Sequence, residues 1–499
     1  MPMSEKRQKK QKLFKPKARI ARGFRDLSGD TLALQSHMLT TIAQVYERYG
    51  FDQLDTPTFE YADALGKFLP DAERPNEGVF SIEDDDGQWI SLRYDLTAPL
   101  ARYVAEHYDS LPKPLRRYQS GYVYRNEKPG PGRFRQFMQM DADTVGAGHP
   151  SADAEICMMA ADCMTALGFG QGEFQIRVNN RKLLDAILAQ CGLEAEADDY
   201  EMRRLTILRA MDKLDRLGHE GVCALLGAGR KDESGDFTPG ALLEPDAIER
   251  IMDFLSARQA DRHATLSQLE RLIGDHPLGI EGLNEMRIMD DMFTALGYGS
   301  EQITMDPAIV RGLGYYTGPV FEIELTFEIM DDTGKPVQFG SVGGGGRYDD
   351  LVQRFKGVRI PATGISIGVS RLAAALELRG HQSDPAQALI VALVLEPDRR
   401  VDMAQLVQQL RLAGLRAEMY VGDSGMKAQL RYADARNARL AIMIGEDERM
   451  KGVVTVKDLA LGRQKSQEID SNSEWRESQH SQFEFKNDEL ILELTNLIK

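Results

Sequence analysis

Apolar residues return at helical spacing through residues 30–49 (Leu32, Leu34, Met38, Leu39, Ile42, Val45 and Tyr46), which predicts an amphipathic helix stopped by Gly50. The segment 51–61 then reads as a strand, confined by Pro57 to a sheet edge or an interface because proline gives no N–H to a ladder. A long helix followed by such a strand offers a surface that two copies can share. Residues 89–92 read as another strand, leading through Arg93, Tyr94, Asp95, Leu96 and Thr97 into a helix that runs through Tyr103. Asp95 or Thr97 suits the N-cap of that helix, whose early Pro99 is tolerated there.

From residue 124 the pattern becomes strict alternation around a Pro/Gly turn. On the return strand Arg133, Arg135, Phe137, Gln139, Asp141 and Asp143 share one face, and Phe134, Met138, Met140 and Ala142 the other. Arg125, Arg133 and Arg135 suit a polyphosphate, since guanidinium forks match phosphate oxygens and stay charged. Phe137 is the one aromatic on that polar face, placed to stack on a base, and the combination points to ATP. An edge hairpin with solvated Arg/Glu pairs is the competing reading of this segment alone.

Residues 175–307 turn helical, with amphipathic stretches at 181–190, 202–217, 246–258 and 283–296 and a loop at 229–245. Strand patterns resume at 320–325, so the block reads as an insertion into a sheet domain that continues beyond it. Two glycine-rich segments flank that strand: Arg311-Gly312-Leu313-Gly314-Tyr315-Tyr316, and Gly343-Gly344-Gly345-Gly346-Arg347-Tyr348-Asp349. Glycine lets backbone approach a ligand, and the neighbouring Arg311, Tyr316 and Tyr348 supply charge and hydroxyls. Residues 364–372 read as a strand turning into a helix with Arg371 near its start, where anions are favoured.

After Pro385, strands at 388–394, 417–421 and 440–444 alternate with helices at 401–412 and 426–437, which predicts a small α/β domain with a mostly parallel sheet. No glycine-rich fingerprint follows its first strand, which argues against a Rossmann dinucleotide site. The polar stretch 467–482 reads as a linker before a short helix at 488–497.

At 499 residues the length fits about three domains. The formal net charge of -16 means that nucleic acid must be met by local patches. One is the segment 1–22, where Lys6, Arg7, Lys9, Lys10, Lys12, Lys15, Lys17, Arg19 and Arg22 form a basic flexible arm suited to phosphate contact or simply solvated. No apolar run approaches a bilayer span and no secretory signal leads the chain, so a cytoplasmic protein without membrane partners is expected. The four cysteines, Cys157, Cys163, Cys191 and Cys223, lack ligand-pair spacing, so neither zinc nor disulfides are expected.

These motifs resemble a known family. Arg125-Asn126-Glu127 with the return strand Arg133-Phe134-Arg135-Gln136-Phe137 resembles motif 2 of class II aminoacyl-tRNA synthetases. Residues 364–372 resemble motif 3, and the helix with Pro57 resembles motif 1. The Arg311 and Gly345-Gly346-Arg347-Tyr348-Asp349 segments are similar to the two signature segments of histidyl-tRNA synthetases.

The resemblance implies an α+β catalytic domain with an antiparallel sheet, formed by residues 23–172 and 309–380 around a helical insertion at 173–308. An α/β anticodon-binding domain at 386–466, and a linker with terminal helix at 467–499, would complete a homodimer subunit. Histidine, ATP as its Mg2+ complex and tRNA(His) would be substrates, with no prosthetic group and no resident metal. Arg125 and Arg311 would be catalytic at the α-phosphate, Arg311 also meeting the substrate carboxylate. Arg125, Glu127, Arg133, Phe137 and Arg371 would bind ATP, with Arg133 and Arg371 at its β/γ end and adenine between Phe137 and Arg371. Asp95, Thr97, Gln139 and Asp143 would bind the ammonium group, with Tyr316 and Tyr348 near the imidazole.

Four positions depart from the family pattern. Gly130-Pro131 stands where many bacterial relatives carry Gln-Lys, Gly314 where an acid is usual, and Asp143 where many have glutamate. The alternative is a catalytically silent, histidine-sensing regulator of a biosynthetic enzyme. Such paralogues lose ATP-binding arginines and the anticodon domain, whereas this chain keeps Arg125, Arg133, Arg311, Arg371 and the α/β extension.

Overall fold

The computed structural model describes residues 16–65, 78–130, 134–193, 200–231, 235–310, 316–330, 336–337, 340–379, 388–462 and 481–498. The chain divides into two compact units, Met1–His381 and Gln382–Lys499.

The first unit is organised by an eight-stranded sheet. In chain order its strands, with those of a smaller sheet, are β1 (Asp52–Gln53), β2 (Phe59–Tyr61), β3 (Ser81–Glu83), β4 (Trp89–Leu92), β5 (Leu115–Tyr124) and β6 (Gln136–Val145). They continue with β7 (Phe174–Asn180), β8 (Ile303–Met305), β9 (Pro319–Leu325), β10 (Ser341–Arg347) and β11 (Ala362–Ile367). The large sheet runs β1-β5-β6-β11-β10-β9-β7-β8. Its inner pairings are all antiparallel, while the outermost strands β1 and β8 pair in parallel. This is the α+β sheet that the motifs imply.

One face of the sheet is apolar because alternate residues of β5 and β6, among them Tyr118, Met140 and Ala142, turn toward the helices. The Gly29–Arg48 helix buries Met38, Ile42, Val45 and Tyr46 there, with the Tyr46 and Tyr118 rings 5.8 Å apart. Its observed span fits the predicted period. The Ser151–Ala166 helix gives no such signal in the sequence. It packs on both sides, burying Ile156, Met159, Cys163 and Met164 along with most of its other residues, so no polar stripe marks it.

Three sequence expectations change in the first unit. The strand read at 51–61 is two short strands split around Pro57, β1 at the edge of the large sheet and β2 at the edge of the small sheet β2-β4-β3. The block read as helical at 175–307 begins and ends in strands of the large sheet, β7 and β8. Burial on both faces of β7, including Arg177, Asn179 and Asn180, erases the alternation that would have revealed it. The helices between these strands share one continuous apolar core with the Gly29–Arg48 and Ser151–Ala166 helices. The helix read at 202–217 is two, Tyr200–Met211 and Leu214–Leu226, the second kinked at Gly218.

The second unit has its own five-stranded sheet: β12 (Ile390–Ala392), β13 (Ala417–Met419), β14 (Leu440–Met443), β15 (Val453–Asp458) and β16 (Gln482–Lys486), in the order β13-β12-β14-β15-β16. The two pairings of β12 are parallel, as crossover helices require, but β14-β15 and β15-β16 are antiparallel. The sheet is therefore mixed instead of mostly parallel. The terminal helix, Leu490–Ile498, buries Leu490 and Leu494 against this core; residues 467–480, most of the stretch read as a linker, lie outside the described residues.

Candidate active site

The face of the large sheet opposite those helices carries the polar residues. Strand register sets Gly121, Gln119 and Arg117 of β5 opposite Gln139, Asp141 and Asp143 of β6, and Ser366 and Gly364 of β11 beside Asp141 and Asp143. Paired residues of an antiparallel ladder share a face, so the β-period alone assembles the floor of a pocket.

Around Asp143 the partners are specific. Tyr348, just past β10, donates its hydroxyl to Asp143 Oδ1, and Arg117 Nη2 lies 2.8 Å from Asp143 Oδ2. Arg117 Nη2 also donates to the Leu96 carbonyl at 2.9 Å, so one guanidinium ties Asp143 to the turn that carries Asp95 and Thr97. Asp95 Oδ1 accepts the Thr97 and Ala98 N–H groups at 3.1 and 2.9 Å, the ordinary capping role for the Thr97–His107 helix. That role fixes the turn beside the pocket.

Two glycines leave room for these side chains. A Cβ on Gly364 would stand 1.9 Å from Asp143 Oδ1 and 2.7 Å from the Ala142 carbonyl, and one on Gly346 would stand 2.9 Å from the Tyr316 ring. Tyr316 is thereby placed against the same row of the sheet. Gly364→Ala is expected to push the Asp143 carboxylate off the Tyr348 hydroxyl, which a crystal structure of the variant would show as a shifted side chain.

The residues that the sequence assigns to a nucleotide gather, where described, at the hairpin end. The Arg125 N–H bonds the Arg135 carbonyl at 2.9 Å, and its guanidinium carbon lies 4.5 Å from the Tyr94 ring centroid and 5.1 Å from that of Phe137. Tyr94 donates to Glu127 Oε1 at 3.1 Å. The Met138 N–H donates to Ser370 Oγ at 2.9 Å, coupling the strand that carries Phe137 to the first turn of the Val369–Leu378 helix, where Arg371 is exposed. Arg135, counted with the phosphate-binding cations in the sequence, is used structurally: its Nε donates to the Glu127 carbonyl and its N–H to that of Gly23.

Arg133 and Arg311 lie outside the described residues. Both flanks of 311–315 are anchored. Upstream, Asn179 Nδ2 donates to the Pro307 and Ile309 carbonyls at 3.0 and 2.9 Å, and Arg177 pairs with Asp306 at 2.8 Å. Downstream, the Thr317 N–H donates to the Arg347 carbonyl at 2.8 Å, and Arg347 Nε donates to buried Asp153 at 3.1 Å. The sequence reading missed Arg117, Ser366, Ser370, Asn179 and Asp153. Asp141 alone among the added pocket residues stood out, by its place on the polar face of β6.

The pocket is acidic. Burial pushes the Asp141 carboxyl up to about 8, with Asp143 adding repulsion and Arg117 and the Ser366 hydrogen bond opposing. Burial raises Asp143 too, against the pull of Arg117 and Tyr348. Such a site favours a cationic ligand. A carboxyl whose folded pKa is raised binds more protons folded than unfolded, so its penalty on stability appears as pH climbs from about 4 to about 8 and is complete above that. Asp141→Asn should therefore raise the melting temperature above pH 8 and leave it nearly unchanged near pH 4.

Among the described residues no cluster of three or more His, Cys, Asp or Glu could hold a metal ion, and no helix is long and apolar enough to cross a membrane. The family model for histidyl-tRNA synthetase matches residues 23–372, and that for an anticodon binding domain matches 387–477. The chain is 54% identical to a histidine–tRNA ligase of Brucella ovis over 483 residues, 96% of each chain. It is 50% identical to that of Bartonella quintana over 487 residues, 97% of each. A crystal structure of histidyl-tRNA synthetase from Nostoc aligns with a TM-score of 0.72 at 27% identity, covering 97% of this chain and all (100%) of that one. The chain belongs to the histidyl-tRNA synthetase family.

Proposed function

We propose that this chain joins histidine to tRNA(His) in two steps on the polar face of the large sheet. Histidine and ATP, the latter as its Mg2+ complex, first give histidyl-adenylate and pyrophosphate; the acyl group then passes to the 3'-terminal ribose of the tRNA. The observation that carries this reading is the juxtaposition on β6 of an acidic pocket, Gln139 to Asp143, with the Arg125–Phe137 pair a few residues away. Near relatives that carry the ligase name over almost the full length weigh against the silent regulatory alternative.

The first step brings a carboxylate to an anionic phosphorus, so its chemistry is charge neutralisation and in-line positioning. Arg125 and Arg311 neutralise the α-phosphate, and Arg311 also meets the carboxylate. Arg133 and Arg371 hold the β/γ end, Glu127 supports the nucleotide side, and adenine stacks on Phe137 against Arg371. Gln139, Asp143, Asp95 and Thr97 hold the ammonium group, while Tyr316 and Tyr348 face the imidazole. No protein nucleophile takes part. The test is ATP–pyrophosphate exchange with each amino acid in turn: histidine alone should support it, and exchange driven by another amino acid rejects the reading.

The rest of the chain serves the tRNA. In this proposal the second unit reads the anticodon and the helices between β7 and β8 grip the acceptor stem. Deleting 175–307 would remove two sheet strands, so the fair test is charge reversal at exposed Arg209 and Arg216. That change should raise KM for tRNA several-fold and leave pyrophosphate exchange unaltered. A homodimer is supported by the half-exposed apolar face of the small sheet, where Phe59, Tyr61 and Ile82 are 45%, 57% and 54% accessible. The cytoplasm, where the three substrates meet, is the proposed setting.

A further inference from the structure

Gln139 is buried, its amide nitrogen donates to Ser366 Oγ, and its Oε1 has no hydrogen-bond partner among the described residues. Ser366 Oγ in turn donates to Asp141 Oδ1. The register makes this arrangement inevitable: Ser366 of β11 stands opposite Asp141 of β6, and Gln139 lies two residues earlier on the same face. A chain of three side chains ends on one open acceptor.

Its direction follows from a proton count. A serine hydroxyl has one hydrogen and, while Asp141 is ionised, that hydrogen goes to the carboxylate. Ser366 then has only lone pairs for Gln139, so the amide must turn its NH2 toward Ser366 and its oxygen away. The reversed amide would set one oxygen against another with no hydrogen between them. An unpaired buried acceptor is costly, and a ligand that donates to it relieves the cost.

We propose that Ser366 and Asp141 are positioning residues that lock the Gln139 carboxamide as a hydrogen-bond acceptor for the protonated α-amine of the substrate, and so make the pocket select an amino acid over its deaminated analogue. The inference rests on the reading that this pocket takes histidine. It also gives Asp141 a use: a buried carboxylate beside Asp143, with Arg117 offsetting part of the charge of both, lowers stability and needs a reason to be there. A site built to pair with a substrate N–H rejects the analogue that lacks it, because its own polar atom is then left unpaired.

The experiment measures KM for histidine and for ATP in pyrophosphate exchange, and calorimetric Kd for histidine and for imidazolepropionate, at a pH above about 8 where Asp141 is ionised. Wild type is compared with Gln139→Leu, Ser366→Ala, Ser366→Thr and Asp141→Leu. The last frees the Ser366 hydrogen and lets the amide reverse. Ser366→Ala and Asp141→Leu should raise KM for histidine about tenfold or more. They should leave KM for ATP and the Kd of imidazolepropionate unchanged, and Ser366→Thr should restore histidine binding. Equal weakening of both ligands, or unchanged histidine affinity in both variants while Gln139→Leu loses it, overturns the relay. If Gln139→Leu itself binds histidine normally, the pocket assignment fails instead. Should Asp141→Leu not fold, Ser366→Ala against Ser366→Thr carries the same comparison.

Discussion

Removing the Arg311 guanidinium is expected to slow histidine-dependent ATP–pyrophosphate exchange on the order of 100-fold or more, the scale on which a single preorganised charge donor acts. The reason is the chemistry of the first step. A carboxylate must approach an anionic phosphorus, and a fixed cation between them lowers the repulsion most when the approach is closest. Binding of ATP alone should change less than the rate, because the other three arginines are untouched. Arg311→Lys should not restore full activity, since a point charge replaces a planar fork that can span two anions. The backbone on each side is pinned by Asn179 and by Arg347, so the substitution should remove a charge without loosening the segment's ends. Exchange by Arg311→Ala at near the wild-type rate would refute the role.

Arg117→Met is expected to be the most destabilising single change in the pocket, by about 3–5 kcal/mol, the cost of stranding a buried charge. Arg117 is 1% exposed and is the cation against Asp143, which is 2% exposed, with Asp141 next to it on the strand. Its removal takes from two buried carboxyls the cation that offsets both and releases the Leu96 carbonyl. The prediction has a signature in pH. Stranded carboxyls are relieved by protonation, so the loss should be largest at alkaline pH and shrink as pH falls toward 5. Adding Asp143→Asn should recover part of the stability, because the uncompensated charge is then gone. Denaturant titrations of the four corners of that double-mutant cycle read it directly; a loss independent of pH and unrelieved by Asp143→Asn would mean that Arg117 acts through packing alone.

The sequence exposed whatever had a period or a fixed turn. The Gly29–Arg48 helix and the strand-to-helix turn before Arg371 lie where their patterns placed them; the return strand of the hairpin, read from Arg133, begins at Gln136, and its partner β5 was not read. Elements covered on both sides left no pattern. The β7 strand and the Ser151–Ala166 helix are buried all round, so neither alternation nor an amphipathic stripe marks them. In the pocket, Gln139, Asp143 and Tyr348 were legible because they sit in recognisable segments. Arg117 and Ser366 were not, since their part depends on which strand lies beside which, a fact of register across residues far apart in the chain. Arg135 shows the converse: a cation on the predicted phosphate face whose Nε goes to the Glu127 carbonyl.

The central claim is that one sheet face holds the amino acid in the acidic pocket and the nucleotide on the Arg125–Phe137 side. A crystal structure with a non-hydrolysable histidyl-adenylate analogue tests it most directly. The account predicts the analogue's amine at Gln139 Oε1 and Asp143, its imidazole against Tyr316 and Tyr348, and its adenine stacked on Phe137. An analogue bound with its adenine away from Phe137, or with its amine facing solvent while Gln139 Oε1 stays unpaired, would contradict it.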